Sequence, residues 1–292
     1  MLRTFLIVFF VLLSACADLA QKPAAPPPST AKLALVLGGG AARGFAHIGV
    51  IKPLEAQRIV PDLIVGTSAG SVVGAIYAGG ASGFELQKFA LEMDDKAFTD
   101  WAIPDRGFIR GEALQNYVNK HLSNRPMDAL PRTLAVVATD LRSGEMVVFR
   151  SGDVGLAVRA SSSVPGVFQP VRIASREFVD GALVSPVPAK VARDLGATVV
   201  IAVDISSKPK NASVSSTIEV LMQTFSIISA TVAQYELDRA DVVIRPDVGN
   251  ISGTDFQSKH RAILEGERAA AGKMEEIRAA LARAGRPVSP AP

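Results

Sequence analysis

Short apolar runs recur along this chain, separated by longer segments whose apolar residues fall at helical spacing. Leu33–Leu37, Leu63–Val65, Leu134–Thr139, Met146–Phe149, Val199–Val203 and Val242–Ile244 read as strands, and helices surround most of them. That alternation predicts an α/β protein with a mainly parallel central sheet covered by helices. Glu112–Leu122 reads as an amphipathic helix. Glu219–Val232 is apolar on most sides and reads as a buried helix, with a membrane-facing or subunit contact as the alternative. The chain has 292 residues, 48% of them hydrophobic, which is ample for one large domain. Its net charge of +3 is too small and too dispersed to suggest a nucleic-acid partner. No internal repeat is evident.

The stretch Pro61–Ala78 carries the first chemistry. A short apolar run ends in a turn holding Ser68, and an apolar helix follows. Gly66 and Gly70 flank the serine two residues away on each side, giving Gly-x-Ser-x-Gly. A nucleophile elbow has this spacing because its serine sits in a strained turn where only very small neighbours fit. The following helix aims its first N–H groups, and the positive end of its dipole, at developing negative charge. A plain Gly/Ser turn between strand and helix has the same letters, so the pattern needs support.

A second glycine cluster supplies some. After the strand Leu33–Leu37 come Gly38, Gly39 and Gly40, then Arg43 and Gly44, then a helical pattern through Gln57. Consecutive glycines let backbone N–H groups converge on one anion, either a phosphate or the oxyanion of an acyl transfer. A Walker loop would need Lys-Ser/Thr after its last glycine, and Phe45-Ala46 follows Gly44 instead. A dinucleotide fingerprint would need glycine at Arg43 or at Ala41, depending on where the count begins, which leaves it a weak rival.

Downstream, Phe178–Ala182 ends an apolar run in Asp180-Gly181. Alone, Asp-Gly marks a tight turn. A serine nucleophile needs a base, however, and the chain has three histidines. His47 lies inside a helix and reads as a packed residue. His121 ends an amphipathic segment, where it suits the helix dipole. His260, between Lys259 and Arg261, reads as solvated.

The blocks GGGAARG (Gly38–Gly44), GTSAG (Gly66–Gly70) and DGA (Asp180–Ala182) occur in that order. Together they resemble the patatin-like phospholipases, particularly short bacterial members related to the catalytic domain of neuropathy target esterase. The linking segments Ala46–Val50, Ala138–Glu145, Ser161–Val171 and Gly196–Ser206 match as well. The resemblance covers roughly residues 32–245 and implies a patatin-like three-layer fold, for a domain expected over residues 32–285. It also implies hydrolysis of phospholipid or lysophospholipid acyl esters with no metal or other cofactor. Its site would be a dyad without histidine, Ser68 the nucleophile and Asp180 the base, with Gly181 leaving room for close approach. Burial would raise the carboxylate's pKa and make it a better base. The family loop often has glycine where Ala41 stands, so oxyanion donation is assigned to Gly39 and Gly40. Arg43 then either orders the loop ending at Gly44 or meets an anionic head group. In this setting the aromatic segment Phe98–Ile109, with Trp101, would line an acyl-chain channel, rest on lipid, or pack as an ordinary loop. The competing readings are an α/β-hydrolase triad using Ser68, an aspartate and His260, and a non-catalytic nucleotide- or lipid-binding envelope protein.

The first thirty residues read differently. Arg3 precedes an apolar run, Thr4–Leu13, too short to span a bilayer comfortably, and then Leu13-Ser14-Ala15-Cys16 contains the single cysteine. This order resembles the lipobox of bacterial lipoprotein signal peptides, with residues 1–15 removed and Cys16 lipidated. Residues 16–31, rich in proline, read as a tether, and 286–292 as a tail. By the same resemblance Ala17, in place of aspartate, favours outer-membrane anchoring facing the periplasm. Membrane lipids are then the expected partner.

Overall fold

The computed structural model describes residues 31–94, 100, 106–206 and 214–288. Its strands are β1 (Leu33–Leu37), β2 (Leu63–Thr67), β3 (Thr133–Asp140), β4 (Met146–Phe149), β5 (Val171–Ile173), β6 (Arg176–Asp180), β7 (Val199–Val203) and β8 (Val242–Ile244). The helices are α1 (Phe45–Ala56), α2 (Ala69–Ala78), α3 (Gly83–Glu92), α4 (Glu112–His121), α5 (Val154–Ser161), α6 (Ala189–Asp194), α7 (Thr217–Leu237), α8 (Lys259–Gly272) and α9 (Met274–Arg283). One sheet runs β5-β6-β3-β2-β1-β7-β8, with β4 on the far side of β3. β1, β2, β3, β7 and β8 are parallel, whereas β4, β5 and β6 pair antiparallel.

The central strands are unbroken apolar runs because both of their faces are covered. Leu33, Leu35 and Leu37 of β1 pack into the larger core with α1, α2 and α8, while Ala34 and Val36 point into the core under α6 and α7. β7 divides the same way. The result is three layers. Truncating a side chain such as Leu35, 1% exposed, to alanine costs about 2–5 kcal/mol.

Two strands escaped the sequence reading. β5 has three residues, and β6 begins with Arg176-Glu177, which breaks the apolar run. Those charges are satisfied sideways: Arg176 pairs with Asp140 at 2.6 Å and Glu177 with Arg106 at 2.8 Å.

The expectation of a buried helix over Glu219–Val232 is corrected. The helix forms, opened by a Ser216–Glu219 capping box, but its N-terminal turns stand clear of the sheet layer. Val220, Leu221, Ile227 and Ile228 are all more than 40% exposed. Among the described side chains of α7 only the stripe Ser229, Ala233 and Leu237, spaced four apart, is buried, so the helix is gripped by its C-terminal half.

Candidate active site

Strand register brings the site together. β2 lies beside β3 as far as the pair Thr67↔Val137, then leaves the sheet at Ser68. From the next residue of β3, β6 takes over that edge, with Asp180 paired to Ala138. Ser68 and Asp180, 112 positions apart in sequence, therefore emerge at one point, and the Ser68 hydroxyl donates to Asp180 Oδ2 at 2.7 Å.

The elbow is strained as its glycines foretell. Ser68 has φ 52° and ψ −124°, a left-handed backbone that an L-residue adopts only under constraint. A Cβ at Gly70 would lie 2.0 Å from the Leu37 carbonyl oxygen, and one at Gly66 2.6 Å from Ser71 Cα. Neither position admits a side chain. The Ser68 N–H donates to Ser161 Oγ at 2.8 Å, and Ser161 in turn donates to the Val137 carbonyl. Helix α2 starts immediately after, and the Ala69 and Gly70 N–H groups have no acceptor among the described residues. They form the positive end of the helix beside the hydroxyl.

Asp180 is wholly enclosed. Burial pushes its carboxyl up to about 7, against the Ser68 and Ala182 hydrogen bonds that favour the charged form. Its other oxygen accepts the Ala182 N–H at 2.8 Å. Its backbone is pinned by Thr139 Oγ1 on the carbonyl at 2.9 Å and by its N–H on the Ser163 carbonyl at 3.0 Å. At Gly181 a Cβ would meet the Val137 carbonyl oxygen at 2.3 Å, so this turn too depends on glycine.

The glycine-rich loop lies over the elbow, with one correction. A Cβ built on Gly39 would touch Ser68 Cβ at 3.3 Å, and one on Gly44 would meet Ala69 Cβ at 2.7 Å. The Gly39 N–H, however, is committed to the Pro186 carbonyl at 2.9 Å and does not point to an oxyanion. The amides without an acceptor among the described residues are those of Gly40 and Ala41. Ala41 takes φ 51°, the second strained non-glycine residue of the site. The amides without an acceptor thus lie one residue along, reaching the position where this chain departs from the family pattern. Arg43 ties the loop down, its Nε donating to the Ile205 carbonyl at 3.0 Å.

The histidines fall where the sequence put them, and one does more than expected. His47 in α1 is buried, and its Nε2 donates to the Gly38 carbonyl at 2.8 Å; burial pushes the ring down to about 4, so it is neutral. His121 closes α4, with Nδ1 against the Tyr117 carbonyl at 2.9 Å. His260 is exposed on α8 in a cleft shared with Lys52, Gln87 and Glu267. Asp180 bonds the serine directly, so the triad through His260 is not assembled. Ser161 and Ser163 are positioning groups that the sequence displayed only within a linking segment, and Pro186 is one that it did not single out. Cys16, Phe98 and Trp101 lie outside the described residues.

A family model described as patatin-like phospholipase matches residues 35–193. An uncharacterized NTE family protein of Mycobacterium tuberculosis is 29% identical over 270 residues, covering 83% of this chain and 46% of the relative. Patatin-like phospholipase domain-containing protein 6 of Mus musculus is 34% identical over 185 residues, covering 60% of this chain and 14% of the relative. The chain thus spans less than half the length of these relatives. Among solved structures, VipD from Legionella pneumophila superposes with TM-score 0.57 at 15% identity, covering 86% of this chain and 68% of that one. ExoU of Pseudomonas aeruginosa, in complex with SpcU, gives TM-score 0.52 at 16% identity, covering 87% and 54%. Both likenesses concern the fold alone.

Proposed function

The chain belongs to the patatin-like phospholipase family, and from that premise we propose that it is a serine hydrolase of lipid acyl esters, acting through Ser68 and Asp180. The observation that carries this reading is the 2.7 Å hydrogen bond from a strained elbow serine to a buried carboxylate. A carboxyl whose pKa is raised to about 7 is matched to neutral pH as a base. As Ser68 Oγ bonds to the acyl carbon, its proton passes to Asp180 Oδ2. The carbonyl oxygen, now an oxyanion, takes hydrogen bonds from the Gly40 and Ala41 amides beside the positive end of α2, each donor typically contributing about 3–4 kcal/mol. When the tetrahedral intermediate collapses, the proton returns to the departing alcohol. Water, activated by the same carboxylate, then releases the fatty acid and frees Ser68.

Phospholipids or lysophospholipids are the substrate class this reading selects. Cys16 is the proposed lipidation site, holding the enzyme at a membrane; an acylated N-terminal peptide beginning at Cys16, by mass, is the expected result, and an unmodified thiol behind residues 1–15 would reject it. For the reaction, free fatty acid should be released from phosphatidylcholine or lysophosphatidylcholine vesicles by the wild type and not by Ser68→Ala. Full release by Ser68→Ala would end the proposal.

A further inference from the structure

The three residues that follow the Asp180 turn touch every part of the site. The Ser185 carbonyl accepts Thr67 Oγ1 at 2.8 Å, one residue before the nucleophile. The Pro186 carbonyl accepts the Gly39 N–H at 2.9 Å and so anchors the glycine-rich loop. Val187 lies under Gly38, where an added Cβ would meet Val187 Cγ2 at 3.0 Å. Ser185 N–H closes back on the Gly181 carbonyl at 2.9 Å, joining the segment to the turn that holds Asp180. The Pro186 carbonyl shares its peptide plane with the Val187 N–H, so whatever holds that N–H also aims the carbonyl.

One side chain holds both neighbours. Glu236, in the gripped half of α7, accepts the Ser185 hydroxyl on one carboxylate oxygen and the Val187 N–H on the other, the latter at 3.0 Å. α7 adds a second clamp nearby, with Ser229 Oγ donating to the Ala182 carbonyl at 3.0 Å. A carboxylate is a costly group for a helix–loop seam, and burial pushes this one up to about 7. An apolar side chain would fill the seam, but it could not orient two donors at fixed positions.

We infer that Glu236 is a positioning residue for acyl transfer, fixing the Ser185–Val187 backbone and, through the Pro186 carbonyl, the glycine-rich loop beside Ser68. The inference rests on the hydrolase reading above. Without the two acceptors, Pro186 turns, Gly39 is released, and the Gly40 and Ala41 amides lose their aim at the oxyanion. That loss falls on the transition state and spares ground-state binding.

The test uses the full chain, hydrolysis of p-nitrophenyl butyrate, thermal unfolding, and fluorophosphonate labelling of Ser68. Glu236→Ala should lower kcat by about 10²-fold, with KM within about twofold of wild type, because small displacements of a catalytic group cost that much. Glu236→Gln should recover most of the loss, since its oxygen accepts from Val187 and its NH2 donates to Ser185 Oγ. If the alanine variant fails to fold, Glu236→Leu decides: leucine refills the volume that alanine leaves open, and its kcat must still fall. Wild-type kcat in a folded Ala or Leu variant, a loss carried by KM, a Gln variant no better than Ala, or loss of the fold in both Ala and Leu variants would each overturn the inference. A wild-type chain that neither turns over nor labels at Ser68 would instead remove the hydrolase reading beneath it, a different result from unchanged variants.

Discussion

Two serine–carboxylate pairs lie within a few residues of each other in this fold, and they are built for different ends. In both Ser68–Asp180 and Ser185–Glu236 a hydroxyl donates to a carboxylate whose pKa burial pushes up to about 7. What separates them is the backbone. Ser68 sits at φ 52° at the start of α2, followed by the Ala69 and Gly70 amides, which have no acceptor among the described residues, and with the glycine-rich loop above it. Ser185 has its N–H on Gly181 and its carbonyl under Thr67, so its surroundings are already satisfied. Strain, and N–H donors without an acceptor among the described residues, distinguish the pair proposed as catalytic.

The contrast is broken first by exchanging the carboxylates. Asp180→Asn should lower kcat by about 10²-fold or more, the scale of removing a general base, whereas Glu236→Gln should keep most activity. Equal losses measured by steady-state ester hydrolysis would erase the distinction.

The pH profile sharpens it. With the ionised form of Asp180 as the proposed base, kcat/KM should rise with pH to a plateau above about 7, falling about tenfold per unit below it. Stability runs the other way. An unfolded aspartate releases its proton near 3.8, while folded Asp180 keeps its own to about 7. Between those values the unfolded chain binds fewer protons, so this group's contribution to stability declines as pH rises. Asp180→Asn escapes that decline and should melt above the wild type at pH 8, with the gap closing toward pH 4. A gap that widens on acidification would contradict the buried-carboxyl account.

Ser161→Ala probes the elbow from beneath. It strips the acceptor from the Ser68 N–H and should cost about 1–3 kcal/mol in denaturant unfolding, the price of an unpaired buried donor. An unchanged midpoint would show that the strained turn needs no such support. The smallest effect belongs to His260→Ala, which should leave ester hydrolysis unchanged, since that side chain lies exposed on α8. A large loss there would restore the triad reading.

Much of this was legible in the letters, for reasons that can be named. β1, β7 and β8 end where the apolar runs end, because strands covered on both faces carry no polar interruption; β4 is only partly covered, but its four residues are apolar too. The elbow was legible because contacts as close as Gly70 against Leu37 forbid any other residue. β6 was hidden by Arg176 and Glu177, whose partners Asp140 and Arg106 come from distant segments. The exposure of α7 was hidden because its composition is that of a buried helix, and only packing shows where the sheet layer stops. The shift of free amides from Gly39 to Ala41 was invisible for a like reason: the Pro186 carbonyl that occupies Gly39 arrives from 147 positions away, past a turn whose geometry no local pattern encodes.

The central claim is that the strained serine, and not its neighbour, is the nucleophile. The direct measurement is reaction of the full chain with a fluorophosphonate, followed by peptide mapping of the adduct. A single adduct on Ser68, absent in Ser68→Ala and never on Ser185, is the predicted result; an adduct on Ser185 or another residue, or an inert wild-type chain, would contradict it.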